Sequence, residues 1–162
     1  MMKQRSTVFL QVILVLIGIA ALTILIRFPL TEGRAKNLDL FSIYMDPLIL
    51  YGYAASTSFF IALYKAFKLL GYIGQNEVFS PKSVKTLASI RYCALLLSVL
   101  IIIAGLYISI FHDKNDDPAG FLAICIVATF FSVVVAIAFM VFENIFQNGL
   151  DLQVENERLS KR

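Results

Sequence analysis

Along the chain, long apolar runs alternate with short polar stretches, and the runs share one length scale. They cover residues 7–26, 47–70, 92–111 and 121–142. An α-helix needs about 20 apolar residues to cross ~30 Å of hydrocarbon. The first, third and fourth runs contain no charged residue, and the second carries Lys65 and Lys68 only in its last turns. There long side chains reach back to the headgroups. Hydrocarbon offers no hydrogen bonds, so each backbone amide must bond within its own segment. The pattern therefore predicts an all-α integral membrane bundle of four transmembrane helices, a single membrane domain over residues 1–162. The first run follows Lys3 and Arg5 like a signal peptide. It is too long for a signal h-region of ~7–15 residues, and its small residues Gly18, Ala20 and Ala21 stand in its middle rather than at its end.

The flanking charges orient the bundle. Lys and Arg concentrate in short cytoplasmic flanks. Two lie in the N-terminus (Lys3, Arg5), five around the middle loop (Lys65, Lys68, Lys82, Lys85, Arg91) and three in the tail (Arg158, Lys161, Arg162). These ten face four on the other side: Arg27, Arg34, Lys36 and Lys114. Both termini and the middle loop are therefore expected in the cytoplasm, with a cytoplasmic tail over residues 143–162.

Each polar stretch carries its own signals. In the first outer loop Pro29 is expected to end span one, because its ring clashes with the preceding turn. Leu38, Leu40, Phe41, Ile43 and Tyr44 make that loop amphipathic, suited to the membrane surface or to capping the bundle. Asp46-Pro47 reads as N-cap and N1 of span two, and Ser80-Pro81 as N-cap and N1 of a short basic helix that runs into span three. Lys82, Lys85 and Arg91 are the candidate partner-binding residues on that helix. The tail keeps Ile145, Phe146, Leu150, Leu152, Val154 and Leu159 among charges and is expected to break or bend near Gly149. It reads either as a contact for a cytoplasmic partner or as a solvated end.

Helices in lipid associate by close packing through small residues. Span two carries Ala54, Ser58, Ala62 and Ala66 at intervals of four, span four carries Ala128, Ser132 and Ala136, and span three has Ala94, Ser98 and Gly105. These are the candidate helix-packing residues. Packing within one chain is the first reading, and a homo-oligomer interface the second.

Composition and charge narrow the chemistry. Apolar residues make up 59% and charged residues 15% of the 162, with a net charge of +3. The positive residues flank the apolar runs, so they answer to membrane lipids rather than to nucleic acid. Transporters driven by protons use ionisable residues at membrane depth, and none lies near the middle of a span. The hydroxyls there (Ser56, Thr57, Ser58, Ser98, Thr129, Ser132) are expected to bond carbonyls of their own helices. Cys93 and Cys125 fall at opposite faces of the bilayer, too far apart for a disulfide, which needs Cα atoms ~5.5 Å apart. The sole histidine, His112, lies near Asp113, Asp116 and Asp117 in a short turn. A divalent cation could use such carboxylates, but Asn, Asp, Pro and Gly are also the ordinary residues of a solvated turn. No catalytic, cofactor-binding or metal residue is assigned, and no enzyme activity or cofactor is expected.

The stretch from Phe59 through Tyr64, Lys65, Phe67 and Lys68 to Tyr72-Ile73, then Phe79-Ser80, Ser83-Val84-Lys85 and Ile90 to Ala94, resembles a bacterial family. That family consists of four-span membrane proteins known only as a domain of unknown function. The tail Leu150-Asp151-Leu152 with Glu155-Asn156-Glu157 resembles its ending, and Arg158 to Arg162 departs from it. The resemblance covers nearly the whole chain. It implies a multi-pass protein of the bacterial cell membrane. Because members often stand beside a gene for a small Cro/repressor-type regulator, it also implies a cytoplasmic helix-turn-helix partner. The functional expectation is a non-enzymatic membrane sensor or partner of such a regulator. The alternative is a small transporter or channel subunit for a neutral or apolar substrate.

Overall fold

The computed structural model describes residues 2–31, 47–75, 77–111 and 118–160, with side chains of the first helix from 6 to 27. The amphipathic segment 32–46 with Asp46, the turn from His112 to Asp117, and Lys161 and Arg162 lie outside the described residues. Four helices follow in order: α1 (Met2–Thr31), α2 (Pro47–Gly74), α3 (Pro81–Phe111) and α4 (Ala119–Ser160). Each holds a stretch long and apolar enough to cross a membrane. Large apolar side chains cover their outer surfaces, with Ile126 71% exposed and Ile110 and Phe111 70%. Surfaces of that kind are stable only where hydrocarbon is the solvent.

Successive helices run antiparallel. Thr7 of α1 lies beside Gly74 at the end of α2, and Gly18 approaches Leu63. The α2–α3 contact is tied by Tyr51, whose hydroxyl donates to the Leu100 carbonyl at 2.8 Å. Across α3 and α4, Ser132 Oγ donates to the Ala94 carbonyl at 2.7 Å. Of the three interfaces between successive helices, α3–α4 is the most extensive and α1–α2 the smallest. The buried core joins Leu69 of α2 to Leu87 and Ile90 of α3, with Phe139 and Phe146 of α4 packed on it. Thus α3 is the central helix and α1 an outlying one.

The small residues fall mostly at these contacts. Ser58, Ser132 and Ala136 are buried, Ala62 and Ala66 pack on the core, and Ala128 is half-buried. Ala54 is instead exposed. Four residues are slightly more than a turn, so a strict interval of four drifts about 40° per step around the helix. The inward face of α2 follows Ala55, Ser58, Ala62, Ala66 and Leu69, mixing steps of three and four. Ser132 also departs from expectation by bonding a neighbouring helix rather than its own. Thr57 does bond the Tyr53 carbonyl four back, at 3.2 Å.

Two expected helix ends are not ends. The α1 helix continues past Pro29 to Thr31. Proline lacks the N–H that would bond the carbonyl four residues back, here Leu25. Tyr53 of α2 supplies the missing donor, its hydroxyl lying 3.2 Å from the Leu25 oxygen. Likewise α4 passes through Gly149 without a break and reaches Ser160. The ring of Phe79, from the α2–α3 connection, lies where a Gly149 side chain would stand, so a Cβ there would overlap it. Gly149 permits a close approach rather than a turn.

Candidate functional site

The end of the bundle where α2 passes to α3 gathers most of the described basic residues. Its connection is short and well bonded. Glu77 N–H donates to the Tyr72 carbonyl at 2.9 Å, closing the end of α2. Ser80 caps α3: its hydroxyl accepts from the Ser83 N–H at 3.2 Å, and Pro81 occupies the first helical position, where no N–H is needed. Ser83 is fully buried, and its own hydroxyl donates to the Glu77 carbonyl at 2.8 Å. This network fixes the direction in which α3 leaves the loop.

Lys82 and Lys85 project from that first stretch of α3 and are exposed. Arg91, grouped with them from sequence, belongs elsewhere. Its Nη1 lies 3.0 Å from Glu143 Oε2 of α4, with the two side chains only 18% and 19% exposed. The contact is one of charge, since Glu143 Oε2 accepts no aligned hydrogen bond. The Arg91 guanidinium also lies 4.7 Å from the centre of the Tyr92 ring, a cation–π distance. Nine residues of helix, about 13 Å, separate it from Lys82. Of the three candidates, Lys82 and Lys85 are therefore open to a partner, while Arg91 clamps α3 to α4.

Beyond that clamp α4 leaves the bundle. Phe146 meets Phe79 edge-on, ring centres 5.8 Å apart at 67°, and Gly149 is the last close contact. From Asp151 to Ser160 every residue is exposed. That overhang is about 15 Å long. It carries Leu152 and Leu159 at 62% and 61% exposure among Asp151, Glu155, Glu157 and Arg158. Gln147 Nε2 donates to Asp151 Oδ1 at 3.1 Å, a bond across one turn where the overhang begins. The apolar residues in the tail were visible in sequence. What sequence reasoning missed was the helix that holds them clear of the body, because glycine ordinarily signals a stop.

The opposite half of the molecule holds a cleft of about 490 Å³ to which all four helices contribute, among them Leu25, Gly52, Phe60, Ala104 and Ala128. The hydroxyls on its wall are engaged elsewhere: Tyr51 with Leu100, Tyr53 with Leu25, and Ser56 with the Tyr53 carbonyl at 2.7 Å. The cleft is therefore apolar in effect as well as in lining. Among the described residues no three His, Cys, Asp or Glu side chains converge as a metal site. Cys93 and Cys125 are both free.

Residues 30–158 match the family described as "Protein of unknown function (DUF2975)". The chain is also similar to the "Uncharacterized membrane protein YoaS" of Bacillus subtilis (strain 168). The two are 36% identical over 159 residues, which cover 96% of this chain and 98% of that one. No solved structure matches the chain.

Proposed function

This chain belongs to the family of membrane proteins of unknown function DUF2975, and from that premise we propose that it is a non-enzymatic protein of the bacterial cell membrane that holds a cytoplasmic protein at the inner surface. The observation that carries this reading is the overhang of α4. Ten exposed helical residues with two outlying leucines stand beyond the last bundle contact. A solvated tail has no need of a continuous helix, whereas amphipathic helices are a recurrent way to engage a protein groove. The excess of Lys and Arg at this end supports its placement in the cytoplasm. Lys82 and Lys85 on the same end add a positive surface that steers an acidic partner. The partner class suggested by the family resemblance is a small helix-turn-helix regulator, held at the membrane and released or sequestered there.

The test is co-purification of the full chain, in mild detergent, with small helix-turn-helix regulators of the same cell. Leu152→Glu with Leu159→Glu should abolish the association, and Lys82→Glu with Lys85→Glu should weaken it and raise its sensitivity to salt. If no association occurs, or if all four substitutions leave both association and neighbouring transcription unchanged, the proposal is wrong. A second reading, a small transporter for a neutral or apolar substrate, is favoured only by the cleft. Flux of such a solute into proteoliposomes would support it.

A further inference from the structure

We propose that two copies of this chain pair through α4, as a parallel two-stranded coiled coil that begins in the membrane and ends on the overhang. Spacing is the first argument. Phe131, Ala138, Ile145, Leu152 and Leu159 recur every seven residues and all are exposed. Between them, at alternating steps of four and three, stand Val135, Phe142, Gly149 and Asn156. Seven is the period at which two helices keep one face together by supercoiling. It holds here for four heptads, about 42 Å of helix, the length at which such a repeat marks a coiled coil. The overhang from Asp151 to Ser160 spans little more than one heptad, so the pair needs the membrane half of the ladder as well.

The second argument is the change of solvent along that ladder. Hydrocarbon accepts any apolar face, so lipid accounts for the ladder only as far as Glu143, where the apolar run ends. Water does not accept such a face. Yet Ile145, Leu152 and Leu159 keep the same register beyond it, at 51%, 62% and 61% exposure. Asp151, Glu155, Glu157 and Arg158 all fall off the ladder. A cytoplasmic protein does not reach Phe131, and lipid does not reach Leu159. A second α4 reaches both. Copies inserted alike in one membrane run parallel, so each rung meets its own counterpart in a two-fold contact.

The third argument is the residue type at each rung. Leu152 and Leu159 take the d positions, and Asn156 takes the a position between them. Leu at d suits two strands, and a single Asn at a fixes their register. Gly149 takes the preceding a position. The ring of Phe79 from the same chain fills its side-chain space and is itself 44% exposed, so that ring is the knob of this layer. At the flanking g and e positions Glu155 faces Ser160 of the second copy, and no like charges meet. The pairing does not depend on a cytoplasmic regulator. The two compete for Leu152 and Leu159, so pairing sets how much of the overhang is free to hold one.

The experiment is cysteine cross-linking of the purified full chain in proteoliposomes, in a Cys93→Ala, Cys125→Ala background. A disulfide needs Cα atoms within about 7 Å, a separation that only facing rungs reach. Under mild oxidation Phe131→Cys, Leu152→Cys and Leu159→Cys should form dimers at least about tenfold faster than Ile126→Cys and Glu157→Cys, which lie off the ladder. Independently, light scattering in mild detergent should find the unsubstituted chain as a dimer. Leu152→Glu with Leu159→Glu should raise its dissociation constant at least about a hundredfold. A chain that stays monomeric overturns the pairing, as do equal cross-linking from Ile126→Cys or Glu157→Cys and a dimer that survives the two leucine substitutions. A monomer that still captures a regulator overturns the pairing and leaves the proposed function standing; a dimer that captures none does the reverse.

Discussion

Replacing Tyr53 with Phe removes one oxygen atom, and its consequence should depend on a residue in another helix. Pro29 cannot donate to the Leu25 carbonyl, and the Tyr53 hydroxyl does so instead, at 3.2 Å. A hydrogen bond contributes about 0.5–1.5 kcal/mol net, and a carbonyl left unpaired away from water costs about 1–3 kcal/mol. Leu25 lies near the end of its span, where some water reaches, and the bond is on the long side, so Tyr53→Phe should cost about 1–2 kcal/mol. In a Pro29→Ala background, residue 29 regains its N–H and bonds Leu25 within the helix. There Tyr53→Phe should cost no more than about 0.5 kcal/mol, leaving a coupling of about 1 kcal/mol between positions 29 and 53. Unfolding in mixed micelles with a denaturing detergent, run on all four proteins, gives that coupling directly. Equal costs for Tyr53→Phe in both backgrounds would refute the account of how α1 continues past its proline.

Other consequences follow from single contacts. Gly149→Ala normally adds about 1 kcal/mol of helix propensity, but here its Cβ must displace Phe79 and the Phe79–Phe146 contact, worth about 0.5–1.5 kcal/mol. It should therefore stabilise a Phe79→Ala chain by about 1 kcal/mol and the native chain by clearly less or not at all, as read by hydrogen exchange of residues 150–160. Ser132→Ala removes the bond to Ala94 across α3 and α4 and should cost about 0.6–2 kcal/mol, measured in the same micelle titration. Arg91→Gln leaves Glu143 without its partner and should cost about 1–2 kcal/mol. Adding Glu143→Gln should restore most of the loss, and no restoration would show that the pair does not join the two helices. An alkaline phosphatase fused after residue 162 should be inactive and a fluorescent protein there bright; the reverse would overturn the orientation.

The number and type of the elements, and the apolar stretch at the centre of each, were legible in the residues. Runs of about 20 apolar residues have one stable solution in hydrocarbon, because an unbonded amide there costs several kcal/mol. The Ser80-Pro81 start of α3 was equally legible, since capping depends on neighbours in sequence. Contacts between helices were legible only in part. The stripes of small residues pointed to Ser58 and Ser132, but a constant interval of four drifts off a helical face and carried Ala54 outward with it. Arg91 reads as a surface cation until α4 brings Glu143 to it. Pro29 and Gly149 read as stops because the local chain lacks a donor at one and a side chain at the other. Both helices continue because Tyr53 and Phe79, 24 and 70 residues away in sequence, supply the missing donor and the covering ring. Local order follows from the solvent and from near neighbours; whether a helix ends, pairs its charge or opens a cleft depends on groups that only the folded chain brings within reach.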